Sequence, residues 1–332
     1  MVRYQAGGPA ELVLMASVAR RYFIEGTSKI EIAEQTGLSR FKVARLLDKA
    51  RASGLVRIEI GYPGEIDVET SSLLQQALGL WHALVLDVSD DHPVTLRTHL
   101  GAAAADLLSE IVTEDDVLGM SWARSVGAAG AALRRLPACT VVQLTGALSS
   151  ADGDETATEL VRDAARIGGG PAYFYYAPMI VATEQIAQAL RQQPEVARAM
   201  AKVDTVTKAV VGVGSWDPPA STVYDALDHE ERTSLRQLGV CAEVSGIMLD
   251  ADGAPVAAPV SRRIIAVTAE QLRRVPEVIA IPYETRKARA VLAAVRGGLV
   301  NALVTHRSLA EALLNLADGT QARQPETRRD PP

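Results

Sequence analysis

The chain has 332 residues, 48% of them apolar and 22% charged, an ordinary globular balance with room for two domains. No apolar run approaches the ~18 residues of a membrane span, and the short apolar stretch 12–19 ends at Arg20-Arg21 without export-type flanks, so a cytoplasmic protein is expected and no membrane partner. The net charge of −6 is unevenly held: residues 1–60 carry ten Lys/Arg against six Asp/Glu, and the rest of the chain is acidic, which suits DNA contact by a small basic module attached to a larger body. Two distant cysteines, Cys139 and Cys241, and five scattered histidines show no ligand spacing, so no metal and no cofactor are expected.

Residues 1–10 read as a frayed tail and 11–25 as a helix with Met15, Val18, Ala19, Tyr22 and Phe23 on one face. Ser28 with Glu31 is a capping-box start for a short second helix. Thr36-Gly37-Leu38 then supplies a tight turn, and Ser39 caps a third helix whose Val43, Leu46, Leu47 and Ala50 recur at i, i+3, i+4 and i+7. Lys42, Arg45 and Lys49 share another face, with Arg40 and Phe41 at its N-terminal end. Two helices joined by a short Gly turn, the second presenting basic side chains, form the helix-turn-helix that enters a DNA major groove, in preference to an ordinary solvated helix pair. Ser39, Arg40, Phe41, Lys42 and Arg45 are the candidate DNA contacts. The alternation over 55–60 predicts a strand, one side of a possible wing, and Gly61-Tyr62-Pro63-Gly64 marks a boundary, giving a DNA-binding domain over 11–60.

From 65 onward strand-like and helical stretches alternate. The strands fall at 83–88, 117–120, 140–144, 172–176, 209–213, 242–249, 264–267, 278–281 and 302–305. The helices fall at 94–112, 124–136, 154–167, 183–203, 285–296 and 308–316. This predicts an α/β domain over 65–317 built on a mainly parallel sheet with helices on both faces. Asp250-Ala251-Asp252-Gly253 reads as a hairpin turn; a calcium loop would need a downstream glutamate that is absent at its spacing. The polar, Pro-rich stretch 318–332 reads as a disordered tail.

In such sheets ligands lie beyond the carboxyl ends of the strands. Four loops fall there: Leu118 to Ser125, Gln143 to Gly146, Val211 to Ser215, and Thr285-Arg286-Lys287. Together they supply hydroxyls, small residues and cations, the mixture a sugar or sugar phosphate needs. Trp122 at a loop apex fits a core residue and a sugar-stacking ring equally well.

The ordered segments IAEQTGLSRFKVARLLDKARASGLVRIEI, LGMSWARSVGAA, VVQLTGALS, VVGVGSWD, EVSGIMLDADGAPV and KARAVLAAVRGGLVNALVTH resemble the SorC family of bacterial transcriptional regulators over almost the whole chain. The resemblance implies an N-terminal helix-turn-helix and a C-terminal sugar-binding domain similar in fold to ribose-phosphate isomerases and glucosamine-phosphate deaminases. It also implies a homotetramer that binds double-stranded operator DNA and changes its grip when a carbohydrate effector binds. By motif, Gly119, Ser121, Arg124 and Ser125 occupy the first ligand loop, Thr145 and Gly146 the second, and Gly214 the third; Glu243 matches an acidic residue accepting sugar hydroxyls, and Lys287 the phosphate-binding lysine. The chain departs from its relatives in carrying Tyr283-Glu284 in place of a Gly-Gly that would form a phosphate nest, and His306 in place of an Asp. The expected effector is accordingly an unphosphorylated sugar or polyol, ahead of a sugar phosphate. An opposing reading, a sugar-phosphate isomerase or deaminase with an appended helix-turn-helix, needs a paired acid and base, and the loops offer Glu243 without an evident partner; no enzyme is expected.

Overall fold

A computed structural model of the chain describes residues 8–56, 65–89, 92–148 and 156–321. Contacts divide the chain into two units, Met1–Pro63 and Gly64–Pro332. In the first, helices α1 (Pro9–Phe23), α2 (Lys29–Thr36) and α3 (Arg40–Ala52) enclose a small core of Met15, Val18, Ile32, Val43, Leu46, Leu47 and Ala50. The capping box between Ser28 and Glu31 is formed, Gly37 ends α2 at φ +67°, and the Ser39 side chain accepts from the Lys42 N–H. These local bonds fix where one helix stops and the next begins. Most of the expected strand 55–60, the boundary at 61–64 and the first seven residues lie outside the described residues; Leu55 and Val56 pack against the three-helix core.

The second unit begins with α4 (Val68–Leu78), β1 (His82–Leu86), α5 (Pro93–Ile111), β2 (Val117–Met120), α6 (Arg124–Ala132) and β3 (Thr140–Gln143). There follow α7 (Ala157–Gly168), β4 (Ala172–Tyr173), α8 (Glu184–Arg191), α9 (Pro194–Lys202) and β5 (Lys208–Val211). A second group of strands, β6 (Val213–Trp216), β7 (Pro219–Ala220), β8 (Ala242–Val244) and β9 (Ile247–Leu249), carries α10 (Thr222–Ala226) and α11 (His229–Gln237). The chain closes with α12 (Ala269–Arg274), β10 (Glu277–Ala280), α13 (Ala288–Arg296), β11 (Ala302–His306) and α14 (Arg307–Gln321).

Seven strands form a parallel sheet in the order β1-β11-β10-β5-β2-β3-β4. Alternate side chains feed two cores: Ala209 and Val211 of β5 and Leu303 of β11 face one, with Leu309 and Leu313 of α14. Val210 and Val304 face the other, with Leu100 of α5, Val126 of α6 and Leu160 of α7. This period-two division explains why the strands read as continuous apolar runs. The chain runs from β2 to β3 and β4 in one direction but places β5 on the other side of β2, so the sheet has a switch point between β2 and β5.

The structure corrects several expected boundaries. The stretch 209–213 divides at Gly212, with β6 leaving to found a separate four-stranded antiparallel sheet, β7-β6-β8-β9. The stretch 242–249 is a hairpin turning at Ser245-Gly246, and 264–267 makes only the isolated bridges of Ala266 with Thr145 and Ile264 with Ile180. The helix expected over 183–203 breaks before Pro194, whose missing N–H suits a first helical position. Helix α14 continues to Gln321, beyond the expected start of the tail at 318.

Gly101 of α5 lets α6 approach so closely that a Cβ there would lie 2.6 Å from the Ala128 carbonyl carbon, whereas a Cβ at Gly127 would meet nothing within 4 Å. Gly101→Val is expected to destabilise the larger unit by about 1–3 kcal/mol or more in urea unfolding, and Gly127→Ala to be neutral or stabilising by up to about 1 kcal/mol.

Candidate functional site

A cleft of about 170 Å³ opens at the carboxyl ends of β2, β5 and β10, beside the switch point. Trp122 to Ser125 enter it from the β2–α6 connection, Gly212 to Gly214 from the exit of β5, and Ile281, Tyr283, Glu284, Arg286 and Lys287 from the exit of β10. Ser221 to Val223, Asp225, Glu243 and Ser245 reach it from the antiparallel sheet. The backbone amides and side chains of three parallel-strand exits thus face a second sheet folded over their end.

Glu243 is the best-anchored group in the cleft. It is buried on β8 directly opposite Gly214 of β6, where any Cβ would come within 2.4 Å of Glu243 Oε1 and 2.6 Å of Ser221 Oγ. Ser221 Oγ donates to Glu243 Oε1 at 2.9 Å, and the Gly246 N–H donates to Oε2 at 3.0 Å. Burial pushes the Glu243 carboxyl above the usual range, opposed by the hydrogen bonds from Gly246 and Ser221 and by the charge of Lys287. The neighbouring hairpin has the two-residue loop Ser245-Gly246, both at positive φ (+52° and +84°), the geometry of a type I′ turn. Serine is an uncommon first residue for such a turn, and its buried Oγ has no hydrogen-bond partner among the described residues.

Lys287 is buried at the far side. Its ammonium donates to the Val213 carbonyl at 3.2 Å, lies 3.4 Å from Glu284 Oε2, and sits 5.0 Å from the centre of the Tyr283 ring. Arg286 also donates to Glu284, from Nε at 3.2 Å and from Nη2. Burial would raise the Glu284 carboxyl, but the charge of Lys287 and the hydrogen bond and charge of Arg286 hold it below its usual value.

Of the residues expected from sequence, Arg124, Ser125, Gly214, Glu243 and Lys287 line this cleft. The others lie behind it. A Cβ on Gly119 would meet Leu144 and Val206, so this glycine serves the sheet core. Ser121 is buried and its N–H donates to the Val210 carbonyl; Thr145 Oγ1 accepts from the Trp122 N–H at 2.9 Å and so holds the first loop in place. Gly146 lies against the Met179 backbone. Trp122 is both buried and cleft-lining. Tyr283 and Glu284, singled out in the sequence for replacing a glycine pair, both line the cleft; sequence reading missed Ser221, Thr222, Asp225 and Ser245, and the Ser-Gly hairpin turn was the one available signal for Ser245.

In the N-terminal unit the Ser39 side chain serves as the α3 cap, while Arg40, Phe41, Lys42 and Arg45 are exposed on that helix, Phe41 to 83%. Arg40, Lys42 and Arg45 form no ion pair among the described residues. Lys49, on the same face by sequence, instead reaches back to Glu11 of α1 at 2.6 Å.

The family model described as "Putative sugar-binding domain" matches residues 63–315. Transcriptional regulator LsrR of Klebsiella pneumoniae subsp. pneumoniae is 30% identical over 319 residues, covering 95% of this chain and 97% of the relative. The uncharacterized transcriptional regulator YjhU of Escherichia coli is 28% identical over 301 residues, covering 88% and 92%. The chain belongs to this family of sugar-binding transcriptional regulators. Its fold matches that of the full-length sorbitol operon regulator SorC from Klebsiella pneumoniae with a TM-score of 0.68 at 24% identity, over 92% of this chain and 99% of that one.

Within this regulator the buried carboxyl gives a pH signature. Because the folded value of Glu243 is raised, the folded state holds its proton more tightly than the unfolded chain, and wild type loses stability as pH rises from the ordinary carboxylate range through the raised value. Glu243→Gln removes this titration. Its melting temperature, measured against wild type, is expected to gain with rising pH across that window and to level off on either side; a pH-independent difference would contradict the assignment.

Proposed function

We propose that this regulator reads its operator with the N-terminal end of α3 and binds its carbohydrate effector in the cleft beside Glu243. The observation carrying the effector half is the placement of Glu243, Lys287, Arg124 and Ser125 around one polar cleft at the switch point of the sheet. The DNA half is supported by Arg40, Lys42 and Arg45, exposed and outside any ion pair among the described residues, beside the exposed ring of Phe41. This reading takes the cleft to act by binding and not by catalysis, in keeping with relatives that are transcriptional regulators. The protein works in the cytoplasm; no helix among the described residues is long and apolar enough to cross a membrane.

Arg45→Ala is expected to weaken binding to the regulator's own promoter DNA by about 1–3 kcal/mol if Arg45 reads a base edge, with less effect on unrelated duplex. Lys42→Ala should weaken both alike and lower the salt dependence, as a phosphate contact does. Neither change touches the buried Val43, Leu46 and Leu47, so melting should be unaltered. Unchanged affinities in both variants at fixed salt would remove α3 from the interface.

The regulator further assembles as a homo-oligomer, a tetramer, through its larger unit. Support comes from Val68, Leu73 and Trp81, exposed on α4 and the turn into the edge strand β1. A fragment beginning at Glu65 should keep the assembly state of the intact chain in light scattering. A monomer at micromolar concentration would show that assembly lies elsewhere.

A further inference from the structure

The charged groups lining the cleft balance: Arg124, Arg286 and Lys287 stand against Asp225, Glu243 and Glu284. The arrangement matters more than the sum. An ammonium has three donors, and those of Lys287 face the Val213 carbonyl, the Glu284 carboxylate and the Tyr283 ring. Arg286 is turned to the same carboxylate. An incoming phosphate, a multiple anion that only accepts hydrogen bonds, would have to displace Glu284 from both cations or lie against it.

What the cleft leaves unsatisfied is of another kind. Each oxygen of Glu243 accepts one protein hydrogen bond and keeps a second position, where the ionised carboxylate takes a donor and the protonated acid offers its own hydrogen. Ser245 adds a buried hydroxyl without a partner among the described residues, held at the cleft wall by a backbone conformation that serine rarely adopts. Both requirements are met by a ligand hydroxyl, which donates and accepts at once.

We propose that the cleft takes an uncharged polyhydroxylated ligand, a sugar or open-chain polyol without a phosphate, and that Ser245 Oγ bonds one of its hydroxyls. This rests on the cleft being the effector site. Glu284 then selects against phosphate, and Ser245 is a specificity-determining contact.

The test uses the full-length protein, with inorganic phosphate as a probe and a panel of pentoses, hexoses, pentitols and hexitols beside their monophosphates. In thermal melting, millimolar inorganic phosphate should leave wild type unmoved and stabilise Glu284→Gln. In calorimetry, wild type should bind the neutral member of a pair at least about tenfold more tightly than its phosphate, with the gap narrowed in Glu284→Gln. Ser245→Ala should lower affinity for the neutral ligand by about tenfold while the unliganded melt is no lower than that of wild type. Wild type binding a phosphate more tightly than its parent sugar, with that binding lost in Glu243→Gln, would overturn the ligand class while keeping the cleft as the site. A neutral ligand whose affinity is indifferent to both Glu243→Gln and Ser245→Ala would instead remove the cleft itself, and the proposal with it.

Discussion

The proposed effector cleft depends on keeping one carboxyl group, that of Glu243, out of water. Burial of an ionised carboxyl is tolerated only when protein groups replace its hydration. Here the Ser221 hydroxyl and the Gly246 N–H do so, and Lys287 supplies an opposite charge across the cleft. Each of these partners imposes a condition on the chain. Ser221 must cap α10 while facing β8, Gly246 must end a two-residue turn, and Gly214 must lack a side chain because Glu243 and Ser221 occupy its space. The antiparallel sheet is thus organised around a carboxyl group held over the end of the parallel one.

That placement follows from an irregularity in the parallel sheet. Strand β5 is not followed by a crossover helix; after Gly212 the chain continues directly into β6 and changes sheets. A Cβ at Gly212 would strike Ala123, so the exit of β5 passes close to the β2–α6 connection. At the switch point the exits of β2, β5 and β10 face residues of the β6–β8–β9 sheet and of α10 across the cleft. The Lys287 bond to the Val213 carbonyl ties the third exit to the start of that sheet.

In the N-terminal unit, function depends on which cations the fold leaves unused. Lys49 pairs with Glu11, Lys29 lies over the Tyr22 ring, and Arg51 lies over the Phe23 ring. These residues hold the helices together. Arg40, Lys42 and Arg45, on the first turns of α3, enter no ion pair among the described residues, which leaves their charge at the end of the helix suited to base edges.

The sequence by itself determined whatever depends on near neighbours. Ser28, Glu31, Gly37 and Ser39 set the ends of α2 and α3 through bonds spanning three or four residues, and the β-α alternation made the parallel sheet and its ligand edge legible. The motif positions of Arg124, Ser125, Gly214, Glu243 and Lys287 reach the cleft because each follows a strand end or belongs to the antiparallel sheet. Loop membership alone could not say which side chains face inward, so Gly119, Thr145 and Gly146 read like their neighbours although packing turns them to the sheet core, the first loop and the Met179 backbone. Ser221 and Ser245 were hidden for the complementary reason. Ser221 meets Glu243, 22 residues on, only after β6 pairs with β8, a long-range closure that no local pattern encodes, while Ser245 sits in a turn whose inward side is decided by the same closure.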